Sequence, residues 1–172
     1  LIVDDEPINV QVLVNYLQLM DYKIITAYSG KEALEIIESD NKPDIVLLDI
    51  MMPHISGYEI CAEIRKKYLR TEIPVVMITA KNRIQSLVEG FQHGADDYIT
   101  KPIIKEEMIS RINQLLDMKQ INDKYVELNK NLEIKVKNRT SELQETIREL
   151  KQTQDQLIES EKMAALGQLI AG

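Results

Sequence analysis

The first hundred residues alternate between short apolar runs and segments in which apolar residues recur every three or four positions. Runs such as "DIVLLDI" and "PVVMITA" are continuously apolar, as expected for strands that are buried on both faces of a sheet. Helical spacing follows each run, and the fourth helix is predicted from Ile84, Leu87, Val88 and Phe91. Five such repeats predict an α/β domain with a parallel sheet and right-handed crossovers.

The pattern changes after Pro102. Every proline and all but two of the glycines lie at or before this residue, and a helical pattern then continues from Ile103 to Leu166 without either. Its first turns carry apolar residues that we expect to pack on the sheet. We therefore divide the chain into an α/β domain of residues 1–117, a helical stretch of residues 118–159 and a final segment of residues 160–172.

Apolar residues in the helical stretch alternate by three and four, which is typical of the core positions of a coiled coil. The stripe consists of Met118, Ile121, Tyr125, Leu128, Leu132, Val136, Leu143, Ile147, Leu150, Leu157 and Ala164. Its register slips by one residue after Leu132, and the second half has polar core positions such as Gln154 and Glu161. Because a single helix would leave this stripe in water, we expect a homodimer through a parallel coiled coil.

Composition narrows the range of partners. The net charge of -7 disfavours nucleic acid or an anionic membrane as a direct partner of the chain. No stretch approaches the ~20 apolar residues of a membrane span. Cys61 is the only cysteine, so no disulfide can form within the chain, which suits a reducing compartment. We expect a cytoplasmic protein that contacts neither nucleic acid nor membrane.

Polar residues whose side chains can bind metal or take part in a reaction lie at the ends of the predicted strands. Asp4 and Asp5 follow the first strand, Asp49 the third, Thr79 the fourth and Lys101 the fifth. Parallel strands bring their carboxyl ends to one edge, where converging carboxylates favour a hard divalent cation such as Mg²⁺, or Mn²⁺. A carboxylate beside such a cation and a lysine can attack phosphorus. An aspartate at a strand end is usually a turn residue, but the ordered set is much more specific.

The stretches "LIVDDEP", "PDIVLLDIMMPHISGYE", "PVVMITA" and "GADDYITKP" resemble the receiver domain of two-component response regulators over residues 1 to about 117. This resemblance implies a flavodoxin-like (βα)5 fold with strand order 2-1-3-4-5. It also implies that Asp49 is the phosphoacceptor. Mg²⁺ would be held by Asp5, Asp49 and the backbone carbonyl of Met51, with Asp4 helping through water.

The same resemblance assigns roles at the ends of the last two strands. Thr79 and Tyr98 would form a switch pair, in which phosphorylation draws the threonine toward the phosphoryl group and lets the tyrosine turn inward. Lys101 would contact the phosphoryl group, and Pro102 would follow a cis peptide bond. The phosphodonor would be an upstream histidine kinase or a phosphotransfer protein.

The final segment, "SEKMAALGQLIAG" from Ser160 to Gly172, resembles the start of the dimerisation helix of sensor histidine kinases. In that family the phosphorylated histidine follows within a few residues, so we expect the input half of a larger kinase, without an ATP site of its own. The chain begins without a methionine, and we expect its true start to lie a few residues upstream.

Two alternatives remain open. A different output domain, such as a nucleotide cyclase, would use the same coiled coil. A phosphatase with an aspartate nucleophile, as in haloacid-dehalogenase-like hydrolases, would carry a second aspartate at the position of Met51. The methionine argues against turnover.

Overall fold

In the computed structural model, residues 1–80 and 93–163 are described in full, together with the helical backbone of residues 164–170. Five parallel strands form one sheet in the order β2-β1-β3-β4-β5. The strands are β1 Ile2–Val3, β2 Thr26–Ala27, β3 Val46–Asp49, β4 Val75–Thr79 and β5 Asp97–Thr100. This order confirms the predicted flavodoxin-like fold. The predicted helix through Ile84, Leu87, Val88 and Phe91 lies outside the described residues.

The helices begin where local chemistry favours it. They are α1 Pro7–Leu17, α2 Gly30–Glu38, α3 Gly57–Lys67 and the C-terminal helix Lys105–Ile170. The proline at the start of α1 supplies no N–H and has a φ suited to the first turn. The Ser29 side chain accepts the Glu32 N–H at the start of α2, and Ser56 with Glu59 forms a reciprocal capping box at α3.

Two hydrophobic cores enclose the sheet, one on each face. The core under α2 and α3 includes Leu48, Ile60 and Met77, and the opposite core joins α1 to the first turns of the C-terminal helix. In the latter, Met108 and Ile112 are buried against the sheet. Because both faces are covered, β3 and β4 are buried along their whole length, which explains their continuous apolar sequence.

An arginine holds the start of β4 and the approach to β5 against α3. Arg65 donates hydrogen bonds to the carbonyl oxygens of Gly94 at 2.7 Å and Ile73 at 2.9 Å, and to Asp96 Oδ2 at 2.7 Å. The same Asp96 oxygen accepts the N–H of Val75 at 2.7 Å. Both charged side chains are largely buried, and Arg65 is the closer of two cations at Asp96, since Arg70 lies 3.6 Å from its Oδ1.

The chain divides into two compact units, Leu1–Lys124 and Tyr125–Gly172. The first contains the sheet and reaches past residue 117, where the sequence pattern placed the domain boundary. The second is helical as far as Ile170. The stripe residues from Met118 to Leu157 are between 48% and 68% exposed in this single chain, and the side chain of Ala164 lies outside the described residues. No helix in the described part of the chain is long and apolar enough to cross a membrane.

Candidate functional site

Three polar side chains lie buried at the carboxyl edge of the sheet. Asp4 directly follows β1, while Asp49 and Thr79 are the last residues of β3 and β4. All three are at most 3% exposed. Asp49 pairs in register with Ile78, the residue before Thr79, so the strand pairing places the aspartate and the threonine on neighbouring strands at the same edge. Burial of polar groups in this way requires partners.

Lys101 brings a cation to these carboxylates from the end of β5. Its Nζ donates a hydrogen bond to Asp49 Oδ1 at 2.6 Å and to Asp4 Oδ2 at 3.3 Å. Its backbone N–H is bound to the carbonyl oxygen of Thr79 at 2.8 Å, which fixes the lysine beside β4. The peptide bond between Lys101 and Pro102 is cis. One ammonium group therefore serves two buried carboxylates.

Asp49 is held in a fixed orientation. Its Oδ2 accepts the backbone N–H of Met51 at 2.7 Å, so each of its two carboxylate oxygens has a donor. Gly57, the first residue of α3, donates its N–H to the Ile50 carbonyl oxygen at 3.1 Å. A Cβ atom at Gly57 would lie 2.3 Å from the carbonyl oxygen of Asp49, so only glycine allows α3 to begin this close to the strand. Sequence reasoning missed Gly57, because "SG" before a helical pattern signals only a cap.

The pKa values at the site reflect burial and the sharing of one ammonium group between two carboxylates. Burial raises the pKa of Asp49, the hydrogen bond and charge of Lys101 oppose the rise, and the nearby Asp4 charge adds to it. Burial alone would lower the pKa of Lys101, but its hydrogen bond to Asp49 and the charges of Asp49 and Asp4 raise it. The lysine thus stays charged beside the two carboxylates.

Asp4 and Asp5 differ in the hydrogen-bond partners of their carboxylates. Asp4 Oδ1 accepts the N–H of Glu6 at 2.9 Å and the Nδ2 of Asn9 at 3.0 Å, so the first turn of α1 orients it. Asn9 was not predicted, and a polar residue in the helical turn after the acid pair was its only signal. Asp5 is half-buried, and its carboxylate has no hydrogen-bond or ion-pair partner within the described residues.

The predicted metal ligands are brought together only in part. Asp4 and Asp49 converge on Lys101, and in the described part of the chain no three His, Cys, Asp or Glu side chains are grouped so that they could hold a metal ion. The carboxylates of Asp4 and Asp49 nevertheless present only oxygen atoms as possible metal ligands. That chemistry fits a hard divalent cation.

The predicted switch pair lies on adjacent strands. Thr79 ends β4, and Tyr98 in β5 pairs in register with Met77. The Tyr98 side chain is only 6% exposed and belongs to the core under α2 and α3, so it is already buried in this structure. Burial raises the pKa of its phenol. If phosphorylation turns Tyr98 inward, the movement must therefore start from a conformation in which Tyr98 is more exposed than it is here.

Residues 1–113 match the family model described as the response regulator receiver domain. This chain belongs to the response regulator receiver family. Receiver domains are components of two-component signalling and typically accept a phosphoryl group from a histidine kinase. The receiver domain of this chain contains a buried aspartate, a buried threonine and a partly exposed lysine at the carboxyl edge of the sheet.

Individual relatives resemble the receiver domain and not the whole chain. Proteins described as "Probable transcriptional regulator ycf27" from Cyanophora paradoxa and Guillardia theta are each 40% identical over 116 residues. The match covers 67% of this chain and 47% and 44% of those proteins, so the chain spans about half the length of the curated relatives it matches.

Solved structures give the same result. The receiver domain of the Francisella response regulator 1452 is 31% identical, with a TM-score of 0.62, and the match covers 67% of this chain and 93% of that one. The signal receiver domain of a signal transduction histidine kinase from Syntrophus aciditrophicus is also 31% identical, with a TM-score of 0.61 and coverage of 67% and 87%.

Proposed function

We propose that this receiver domain accepts a phosphoryl group on Asp49 in a reaction that depends on Mg²⁺ or Mn²⁺. The donor is the phosphohistidine of a histidine kinase or a phosphotransfer protein. The observation that carries this proposal is the position of Asp49, buried at the strand edge with both oxygens hydrogen-bonded and Lys101 2.6 Å away. A fixed carboxylate beside a fixed cation is suited to attack on phosphorus.

In the transfer, an oxygen of Asp49 forms a bond to phosphorus as the P–N bond of the donor phosphohistidine breaks. When the other ring nitrogen of the donor is already protonated, the imidazole leaves as the neutral base; otherwise the leaving ring takes up a proton from water to become neutral. Lys101 is placed to offset negative charge on the phosphoryl oxygens, because its ammonium group already lies against Asp49. The Met51 N–H holds the other oxygen and so limits rotation of the carboxylate.

The cation site would consist of Asp5, Asp49 and the Met51 carbonyl, with Asp4 contributing through water. Two observations support it. Asp5 has no partner within the described residues, and Asp4 and Asp49 share a single ammonium group. A bound divalent cation would supply the missing positive charge and polarise the phosphoryl group.

Phosphorylation can be tested with a small phosphodonor and intact-mass measurement. We expect one added phosphoryl group with Mg²⁺, none with a chelator, and none in Asp49→Asn. Asp40→Asn removes an exposed carboxylate in a turn and serves as the matched control that retains labelling. Equal labelling of Asp49→Asn would refute the assignment. Continuous release of phosphate from an added phosphoester would instead favour the phosphatase alternative.

We also propose that the receiver controls a histidine kinase core through a homodimeric parallel coiled coil. The exposed apolar stripe supports pairing, and the final segment resembles a kinase dimerisation helix. The likeness to the receiver of a Syntrophus histidine kinase adds support. Since the two curated relatives are described as transcriptional regulators, an output domain of that class is the second candidate. The coding sequence after Gly172 would distinguish the two.

The dimer is tested by light scattering of the whole chain. We expect twice the monomer mass, and a monomer for Leu150→Glu, which places a charge in the stripe. Gln152→Glu adds the same charge two residues later at a position outside the stripe, and it should leave the dimer intact. A wild-type monomer at tens of micromolar would refute the coiled coil.

A further inference from the structure

The C-terminal helix has two distinct faces between residues 112 and 123. On one face, Ile112 is buried, while Leu116 and Lys119 are partly buried. These three residues follow helical spacing and line a cleft of about 590 Å³, together with the end of α1 and the segments that lead into β2 and β3. This face is held by the receiver.

Polar contacts link this part of the helix to the receiver. Lys119 Nζ lies 3.4 Å from Asp44 Oδ1, before β3, and donates to Asp123 Oδ2 at 2.8 Å. The Tyr22 hydroxyl donates a hydrogen bond to the Asn113 side chain. The side chain of Lys119 is only 17% exposed, so its stem is packed in the cleft as well as paired at its tip. We call the pairs Asp44–Lys119 and Tyr22–Asn113 the clasp.

The opposite face is apolar and open. Met118 is 60% exposed and Ile121 is 68% exposed. Because residues of an α-helix are about 100° apart, the midpoint of these two lies about 160° around the helix from the midpoint of Ile112, Leu116 and Lys119. A partner can therefore contact Met118 and Ile121 without displacing the receiver from the other side.

We propose that this face, formed by Met118 and Ile121, is the docking site for a second copy of the chain. The helix pair then begins inside the receiver unit, and the clasp sets its rotation. The inference rests on the parallel dimer proposed above. Met118 and Ile121 open the three-and-four spacing that continues to Leu132, which suits a partner with the same period. Across a parallel pair the flanking positions bring Asp117 beside Asn122, so no like charges face each other.

Disulfide formation between two copies of the whole chain tests the docking face. Single cysteines replace Met118, Ile121 or Gln120, and Leu143→Cys reports on the coiled coil farther along. Cys61 can stay, because it is buried and burial raises the pKa of its thiol to about 11. Since a disulfide needs Cβ atoms about 4 Å apart, we expect crosslinking at Met118→Cys and Ile121→Cys at least about ten times faster than at Gln120→Cys.

The crosslinking results distinguish a failure of this inference from a failure of the proposed dimer. Crosslinking of Leu143→Cys without crosslinking at positions 118 and 121 would overturn the inference and leave the dimer standing. Absence of crosslinking at all positions would refute the dimer, and the inference with it. Equal crosslinking rates at positions 118, 120 and 121 would show that the two helices have no fixed orientation here, which would also overturn the inference.

The clasp is tested by combining Lys119→Met and Asp44→Asn with Tyr22→Phe, so that both pairs are removed. We expect the preference for positions 118 and 121 over 120 to fall several-fold, while Leu143→Cys crosslinks as before. Circular dichroism checks that the fold is retained, and labelling at Asp49, at the other edge of the sheet, should be unchanged. An unaltered crosslinking pattern in this folded variant would show that the clasp does not set the rotation of the helix pair.

Discussion

Replacement of Lys101 by methionine tests the charge balance at the edge of the sheet. Methionine keeps most of the length of the side chain but removes the ammonium group. Asp4 and Asp49, which are 1% and 3% exposed, would then face each other without a cation. Asp4 would retain the hydrogen bonds from Glu6 and Asn9, and Asp49 only that from Met51.

The size of the effect follows from burial. Removing one partner of a fully buried ion pair costs ~3–5 kcal/mol, because the remaining charge is uncompensated. The Lys101 side chain is 30% exposed, so water already screens part of the interaction. We therefore expect a loss of about 2–3 kcal/mol in the free energy of unfolding. For a unit of this size that corresponds to a fall of roughly 6–15 °C in Tm.

The loss should depend on pH. Burial already raises the pKa of Asp49, and removal of Lys101 takes away two of the three interactions that oppose the rise, leaving only the hydrogen bond from the Met51 N–H. A carboxylate whose pKa is higher in the folded state destabilises the fold above that pKa, and the penalty disappears as the pH falls toward the unfolded value. The difference between wild type and Lys101→Met should therefore shrink as the pH is lowered from 7 to 4.

Urea unfolding followed by circular dichroism and tyrosine fluorescence measures this difference. Lys124→Met is the matched control, because Lys124 is exposed and has no ion-pair partner within the described residues; it should change stability by less than about 0.5 kcal/mol. Adding Asp49→Asn to Lys101→Met should recover part of the loss. A loss below about 0.5 kcal/mol at pH 7, or one that grows as the pH falls, would refute the reasoning.

Two further predictions concern stability away from the acidic site. His54 has a φ of 69°, in the left-handed region that favours glycine, so His54→Gly should stabilise the fold by about 1 kcal/mol in the same urea assay. Any destabilisation would contradict this view of the loop. Arg65→Met should cost ~3–5 kcal/mol, because the buried carboxylate of Asp96 loses its closest cation and two carbonyl oxygens lose their donor. The neighbouring Lys66→Met, on the exposed side of α3, should cost less than about 0.5 kcal/mol, and an equal loss in the two variants would refute the role of Arg65.

Much of the site could be predicted from the sequence because parallel topology determines where strand ends meet. Asp4, Asp49, Thr79 and Lys101 each close an apolar run, and that pattern alone placed them at one edge. The strand order was a different case: it came from the resemblance to receiver domains, since periodicity predicts a parallel sheet without fixing which strands are neighbours.

Other features depend on contacts between distant parts of the chain. The β-rich stretch "YKIITAY" contains only Thr26–Ala27 as a strand, and these two residues pair with Ile2 and Val3 of β1. Helical spacing does not distinguish Lys119 from an exposed lysine, because its partial burial depends on the cleft and on Asp44, which is distant in the sequence. Gly57 matters only through its distance from the Asp49 carbonyl oxygen. No local pattern carries such information.

The central claim is that Asp49 becomes an acyl phosphate, and borohydride trapping tests it most directly. Borohydride reduces an acyl phosphate to an alcohol, so a phosphorylated aspartate becomes homoserine, which peptide mass spectrometry can assign to a position. We predict homoserine at position 49 alone, and only in samples treated with phosphodonor and Mg²⁺. Homoserine at Asp4 or Asp5, or none in a sample whose intact mass shows a phosphoryl group, would contradict the account.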